Sequence, residues 1–104
     1  MAVLQLTKDN FDEEVLGSEQ IVLIDFWASW CAPCKMLSPT IEIIAEDYPQ
    51  VKVCKVNVDQ EPELAGAFNV SSIPMLVVIK DKKIVDTSAG VVPKEKIVEM
   101  LDKN

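Results

Sequence analysis

The sequence predicts an α/β fold, with one mixed β-sheet and helices on both of its faces. Three observations carry that expectation. Apolar runs of strand length alternate with stretches of helical periodicity in the order β-α-β-α-β-α-β-β-α. The run Ile21–Trp27 is almost continuously apolar, as a central strand covered on both faces must be. Asp81, Lys82 and Lys83 turn the chain between the last two strands, which makes them an antiparallel hairpin; alternation followed by a hairpin implies a mixed sheet.

Each element has its own signal. Val3 to Leu6 reads as a short first strand. Thr7 or Asp9 is placed to cap a helix running to about Leu16, with Phe11, Val15 and Leu16 on its inner side and Gly17 as the stop. The acids Asp12, Glu13 and Glu14 form its solvated face. Residues 33–48 form the main helix, with Met36, Leu37, Ile41, Ile44, Ala45 and Tyr48 as the inner stripe against Lys35, Glu42, Glu46 and Asp47. Pro33 is tolerated in its first turn, whereas Pro39 removes a bond to the carbonyl of Lys35 and is expected to kink it.

Val51 to Val58 is a Val-rich strand carrying Cys54 and Lys55. Cys54 reads most simply as a small buried hydrophobe. Lys55 is unusual in such a strand and either pairs with Asp25 or snorkels to the surface. Asp59 is expected to cap a short helix over residues 61–68, with Pro62 in its first turn and Asn69 near its end. A loop, Ser71 to Pro74, leads into the strand Met75–Ile79. After the hairpin comes a strand from Ile84 to Ser88, then Gly90. Pro93 opens a last helix with Ile97, Val98, Met100 and Leu101 apolar and Glu99 and Lys103 spaced as an i,i+4 pair.

Composition bounds the function. A chain of 104 residues, 49% apolar, is expected to be a single domain over 1–104 with a real core. A net charge of −7 argues against nucleic acid and anionic membrane surfaces as partners, since both select for Lys and Arg. No apolar run approaches the roughly 18 residues of a spanning helix, and the N-terminal residues show no secretory signal pattern. Three cysteines, an odd and sparse set, fit a reducing compartment better than a secreted scaffold; the expected location is the cytoplasm, or an organelle if a transit peptide has been removed. With no His, neither Cys-His nucleophilic catalysis nor a His-ligated metal site can be built from this chain.

The chemistry concentrates between Asp25 and Lys35. Cys31 and Cys34 stand where strand turns into helix, one turn apart, so their sulfurs can meet within the Cα separation that a disulfide tolerates. The helix end presents unpaired N–H groups and partial positive charge, which favour the reactive thiolate. A structural zinc needs four ligands and only Cys54 remains to join the pair; haem attachment needs a His after the second Cys, where Lys35 stands. No metal or bound cofactor is expected. Asp25 interrupts the central strand, and on position alone it is either a strand-end acid reaching water or a buried acid kept for proton transfer.

The segment Trp30-Cys31-Ala32-Pro33-Cys34-Lys35 after Asp25-Phe26-Trp27 resembles the active-site segment of the thioredoxin family. The likeness extends over almost the whole chain. Lys55, Asp59, Pro62, Ile73-Pro74 and Gly90 also stand where that family's pattern puts them, with Asp25 six residues before Cys31 and Pro74 forty after Cys34. The resemblance implies a thioredoxin-like three-layer α/β/α sandwich and a dithiol–disulfide oxidoreductase whose redox centre is its own Cys31–Cys34 disulfide. It implies Cys31 as nucleophile, Cys34 as resolving thiol, Asp25 as its proton acceptor and Lys55 as a further catalytic residue. It also implies a docking surface of Trp30, Ala32, Pro33, Ile73, Pro74 and Gly90, a cis Ile73–Pro74 bond, protein disulfides as substrates and a thioredoxin reductase or equivalent donor. The protein is expected to be a monomer. A redox-silent interaction module using the same surface is the alternative, which the intact Cys31, Cys34 and Asp25 disfavour. The chain departs from the family's commonest pattern at Ala32 and Lys82, where Gly is familiar, and at Met75, where Thr is common.

Overall fold

The computed structural model describes residues 3–104; Met1 and Ala2, included in the expected domain 1–104, lie outside the described residues. Five strands, β1 (Val3–Gln5), β2 (Ile21–Trp27), β3 (Val51–Asn57), β4 (Met75–Lys80) and β5 (Lys83–Ala89), form one sheet in the order β1-β3-β2-β4-β5. β1 and β2 run parallel to β3, while β4 runs antiparallel to both β2 and β5. The sheet is therefore mixed, with β2 central, as the apolar run and the hairpin led one to expect.

Strand alternation assigns the two faces. Leu23 from β2, Val53 from β3 and Leu76 and Val78 from β4 pack beneath α1 (Ala32–Asp47) and α3 (Lys94–Asp102), through Leu37, Ile41, Ile44, Ile97 and Met100. Val22, Ile24 and Phe26 turn the other way, against Leu6, Val15 and Leu64, where a short π-helix (Asp12–Leu16) and α2 (Pro62–Ala67) cover the sheet. The result is a three-layer α/β/α sandwich. Each fully buried Leu, Ile or Phe contributes roughly 1.5–3 kcal/mol, so the two cores together can carry one costly polar group in the central strand.

Local chemistry departs from expectation in five places. The first helical segment is shorter and more widely wound, with the Gly17 amide bonding the Asp12 carbonyl five residues back at 2.9 Å. Thr7 and Asn10 satisfy each other's amides ahead of it (3.3 and 2.8 Å), but neither Thr7 nor Asp9 caps it: its N-cap is Phe11, without a side-chain cap bond. Gly17 ends it with φ −84°, and a Cβ there would fall 2.6 Å from the Glu13 carbonyl oxygen; close approach, not a left-handed backbone, calls for glycine. Second, Leu16 and Met36 are exposed rather than inward, because Val15 and Leu37 take the core positions and an adjacent helical residue points about 100° away. Third, Asp59 caps nothing: α2 begins after Glu61 without a side-chain cap, while Asn57 Oδ1 accepts the amides of Asp59 and Gln60 at 2.9 and 3.3 Å. Fourth, Lys103 pairs with Asp86 on β5 (3.2 Å) instead of Glu99, whose nearest cation is Lys96 at 3.9 Å. Fifth, Pro93 precedes α3 as its N-cap.

The β4–β5 hairpin closes through Asp81 and Lys82, at φ +53° and +69°. Two left-handed central residues make the tight turn whose twist matches the strands, and only glycine adopts that conformation freely. Replacing Lys82 by Gly is expected to raise unfolding stability by about 1 kcal/mol, seen as a higher urea midpoint with unchanged slope.

Candidate active site at the start of α1

The strand-to-helix junction builds the site. β2 ends at Trp27, and the Cys31 amide bonds the carbonyl of buried Ala28 at 3.2 Å, which folds the connecting residues tightly. Cys31 is the N-cap of α1, with extended backbone angles (φ −93°, ψ 107°), and its Sγ accepts the Cys34 amide at 3.2 Å. A sulfur thus takes the place of the oxygen that usually caps a helix, satisfying one of the end's orphan donors. Cys31 and Cys34 are joined as a disulfide across a Cα separation of 5.3 Å. Both are nearly buried, packed with Ala28 against Trp27, Val58 and Ile73. When the bond is opened, the Cys34 amide and the helix end favour the anionic form of the Cys31 sulfur.

The rim comes from three other segments. The Ile73 carbonyl lies 3.9 Å from Cys31 Sγ, and the Ile73–Pro74 bond is cis, as expected. Ile73 is half-buried; Pro74 is buried behind it rather than on the surface. The Pro74 carbonyl accepts the Gly90 amide at 2.8 Å, so Gly90 is tied to the same loop. Gly90 has φ +88° with open space where a Cβ would stand, so backbone conformation alone requires glycine there. Ala32 and Pro33 are exposed on the first turn of α1. Trp30 is 69% exposed, and its indole N–H donates to Asp59 Oδ2 at 2.8 Å. A shallow groove of about 190 Å³, lined by Trp30, Val58, Val70 and Ile73 among others, runs beside it.

Sequence reasoning placed Asp59 at a helix cap and gave no part to Ala28 or Val58. A signal existed for Asp59. Parallel β2 and β3 must end at the same edge of the sheet, so residues after Asn57 meet residues after Trp27, which brings the Asp59 carboxylate within reach of an indole N–H there.

Asp25 lies on β2 facing α1, one same-face step from Trp27. It is 1% exposed, and among the described residues its carboxyl oxygens have no hydrogen-bond partner; the Trp27 indole N–H is likewise unpartnered. Burial raises its pKa from the ordinary 3.8 to about 6, against the lowering effect of Lys55. Lys55 is its register partner on β3. Of the two readings of Lys55, the direct pair is not made: Lys55 Nζ donates to Ser38 Oγ at 3.3 Å and lies 4.9 Å from the centre of the Trp27 ring, and no ion pair with Asp25 forms among the described residues. Two acceptors other than the carboxylate hold the ammonium, which leaves Asp25 largely unsolvated.

Cys54 is fully buried on the opposite face, among Leu6, Ile24 and Val56, and burial pushes its thiol up to about 12. Among the described residues no group of three or more His, Cys, Asp or Glu side chains is arranged to hold a metal, and no helix is long and apolar enough to cross a membrane.

A mixed sheet between helical layers, with a disulfide at the N-terminus of the helix that follows the central strand, defines a dithiol–disulfide oxidoreductase. Residues 2–103 match the thioredoxin family model. The chain is 45% identical to a thioredoxin of Chlorobaculum thiosulfatiphilum (96% of this chain, 94% of that one). It is also 45% identical to a thioredoxin of Staphylococcus haemolyticus (100% and 99%) and 47% identical to thioredoxin 1 of Synechococcus elongatus (95% and 94%). The chain belongs to the thioredoxin family. Its active site is the Cys31–Cys34 pair, and its activity is thiol–disulfide oxidoreduction.

Two predictions follow from the buried groups. Because the folded pKa of Asp25 lies above its unfolded value, ionisation costs stability: the fold should weaken as pH rises from about 4 to about 6 and level off above. Asp25→Asn removes that charge and should stabilise the oxidised protein near pH 7 by about 1–3 kcal/mol, with little gain at pH 3, as measured by denaturant titration at both pH values. Cys54→Ala or Cys54→Val should leave disulfide reduction near the wild-type rate in a turbidity assay with a model disulfide substrate.

Proposed function

We propose that this protein is a general protein disulfide reductase in which Cys31 attacks, Cys34 resolves and Asp25 accepts the proton of Cys34. The observation that carries the reading is the Cys34 amide donating to Cys31 Sγ at the N-cap of α1, with Cys34 itself one turn further in. That donor is in place before any substrate arrives, and it favours negative charge on the outer sulfur of the pair.

In the first step the Cys31 thiolate bonds to one sulfur of a substrate disulfide, the substrate's S–S bond breaks, and the departing thiolate takes up a proton. Asp25, unprotonated, accepts the Cys34 proton. The Cys34 thiolate then bonds to Cys31 Sγ and expels the second substrate sulfur. Two electrons pass from the dithiol to the substrate, and Cys31–Cys34 is left as a disulfide. A pKa near 6 suits Asp25 to this work, since it is mostly ionised at neutral pH yet basic enough to take a proton. Lys55 moderates that basicity. A thioredoxin reductase or equivalent dithiol donor restores the reduced form.

The docking surface in this reading is Trp30, Ala32, Pro33, Ile73 and Gly90, with Pro74 buried behind Ile73. The exposed Trp30 ring, the groove beside it and the backbone of Ile73 suit an extended apolar substrate segment laid down as an added strand. We further infer a single-domain monomer, acting as a diffusible electron carrier in a reducing compartment such as the cytoplasm. The net charge of −7 and the sparse cysteines support that setting, and nucleic acid and membrane surfaces are not its partners.

Cys31→Ser should abolish reduction of insulin-type disulfides. Cys34→Ser should accumulate mixed disulfides through Cys31, identified by mass spectrometry of trapped adducts; trapping through Cys34 in the Cys31 variant would reverse the roles. Asp25→Asn should slow release of the mixed disulfide at pH 7 at least about tenfold, while leaving the initial attack by Cys31 nearly unchanged in a stopped-flow experiment.

A further inference from the structure

We propose that Ser38 is a positioning residue for the proton-transfer step: its hydroxyl holds the Lys55 ammonium away from Asp25 and so keeps the carboxyl a competent base. The inference rests on Asp25 as the proton acceptor, but the placement of Lys55 stands on geometry alone.

Ser38 follows Cys34 by four residues on α1, so the two share a helix face, and Ser38 is half-buried above the sheet. Its Oγ lies 3.3 Å from Lys55 Nζ. The Trp27 ring, 4.9 Å from the ammonium, is the second anchor. The third group within the reach of that side chain is Asp25, its register partner across β2 and β3, yet no ion pair joins them among the described residues. A lysine stem has four rotatable bonds and a point charge that follows its acceptors. In an apolar site a carboxylate without other partners is the strongest competitor for that charge. The hydroxyl of Ser38, together with the indole face, therefore decides how far the positive charge sits from Asp25.

The surroundings leave few other controls. On β2 the same face carries Leu23 and Trp27, and on β3 it carries Val53 beside Lys55. β4 places Leu76 opposite Asp25, and α3 presents Ile97, Met100 and Leu101 to that core. From α1 the inward groups are Cys34, Leu37, Ser38 and Ile41, and Cys34 does not titrate while the disulfide is closed. Among the described residues Lys55 is thus the one charged side chain facing Asp25, and burial and that charge act on the carboxyl in opposite directions.

Removing the hydroxyl should release the ammonium to the ionised carboxylate. In Ser38→Ala the Asp25 midpoint, followed by carboxyl carbon NMR in the oxidised protein, should fall by about one pH unit. The acid limb of the pH profile for mixed-disulfide release should move the same way, and release at neutral pH should slow as the base weakens. Ser38→Thr, which keeps a hydroxyl, should restore both. In a Lys55→Met background, Ser38→Ala should leave the midpoint unmoved, because the charge it positions is gone.

A Ser38→Ala midpoint equal to wild type, or an equal shift with and without Lys55, would overturn the proposal. These titrations read Asp25 whether or not it is the base. Failure of the proton-acceptor reading would instead appear as unchanged release rates in Asp25→Asn with the Ser38 shift intact.

Discussion

Strand β2 has hydrogen-bonded neighbours on both edges and packed helices on both faces, so any polar group it carries must emerge at an end or remain without water. The site uses both outcomes. At the end of β2 the chain turns through Ala28 into α1, and the Cys31 sulfur takes the N-cap position where a helix needs an acceptor. Inside β2, Asp25 stays buried and unpartnered, and the desolvation that raises its pKa is a direct result of that coverage. One architectural fact therefore accounts for both the sulfur that caps the helix and the desolvated carboxyl within the strand.

The cost is affordable only because the flanking layers are apolar throughout. Leu37, Ile41, Ile44, Leu76 and Ile97 in the core on one side of the sheet are fully buried, and their combined burial exceeds the few kcal/mol that an ionised carboxyl without partners imposes. A closer Lys55 would relieve that penalty and at the same time lower the pKa of the carboxyl. Stability and basicity pull in opposite directions at this residue, and the lysine's contacts with Ser38 and Trp27 hold the balance toward basicity.

The rim of the site depends on backbone more than on side chains. Ile73 meets Cys31 through its carbonyl, Pro74 holds Gly90 through another, and Gly90 is demanded by a positive φ. Side chains can therefore vary around this rim, as Met75 and Ala32 do against the family's commonest residues, without moving the groups that face the disulfide. Trp30 is the exception, a large exposed ring fixed by its bond to Asp59.

By itself the sequence determined the order of elements, the central place of Ile21–Trp27, the hairpin, and the junction that puts Cys31 and Cys34 one turn apart. These follow from periodicity, chain direction and spacing, which are properties of neighbouring residues. Cys54 as a core residue was legible for the same reason: it sits in a Val-rich strand. Tertiary structure decided whatever depended on partners distant in the chain. Asp59 looked like a helix cap until the parallel ends of β2 and β3 brought it to the Trp30 indole, 29 residues away. Lys103 had a partner at helical spacing but found Asp86 on a strand instead. Lys55 stood in register with Asp25, and only the packing of α1 on the sheet brought Ser38 to it and turned the ammonium aside. A side chain's charge can be read from its letter; the acceptor it chooses is settled by which surfaces the fold presses together, because hydrogen bonds act over a few ångströms and sequence separation does not measure that distance.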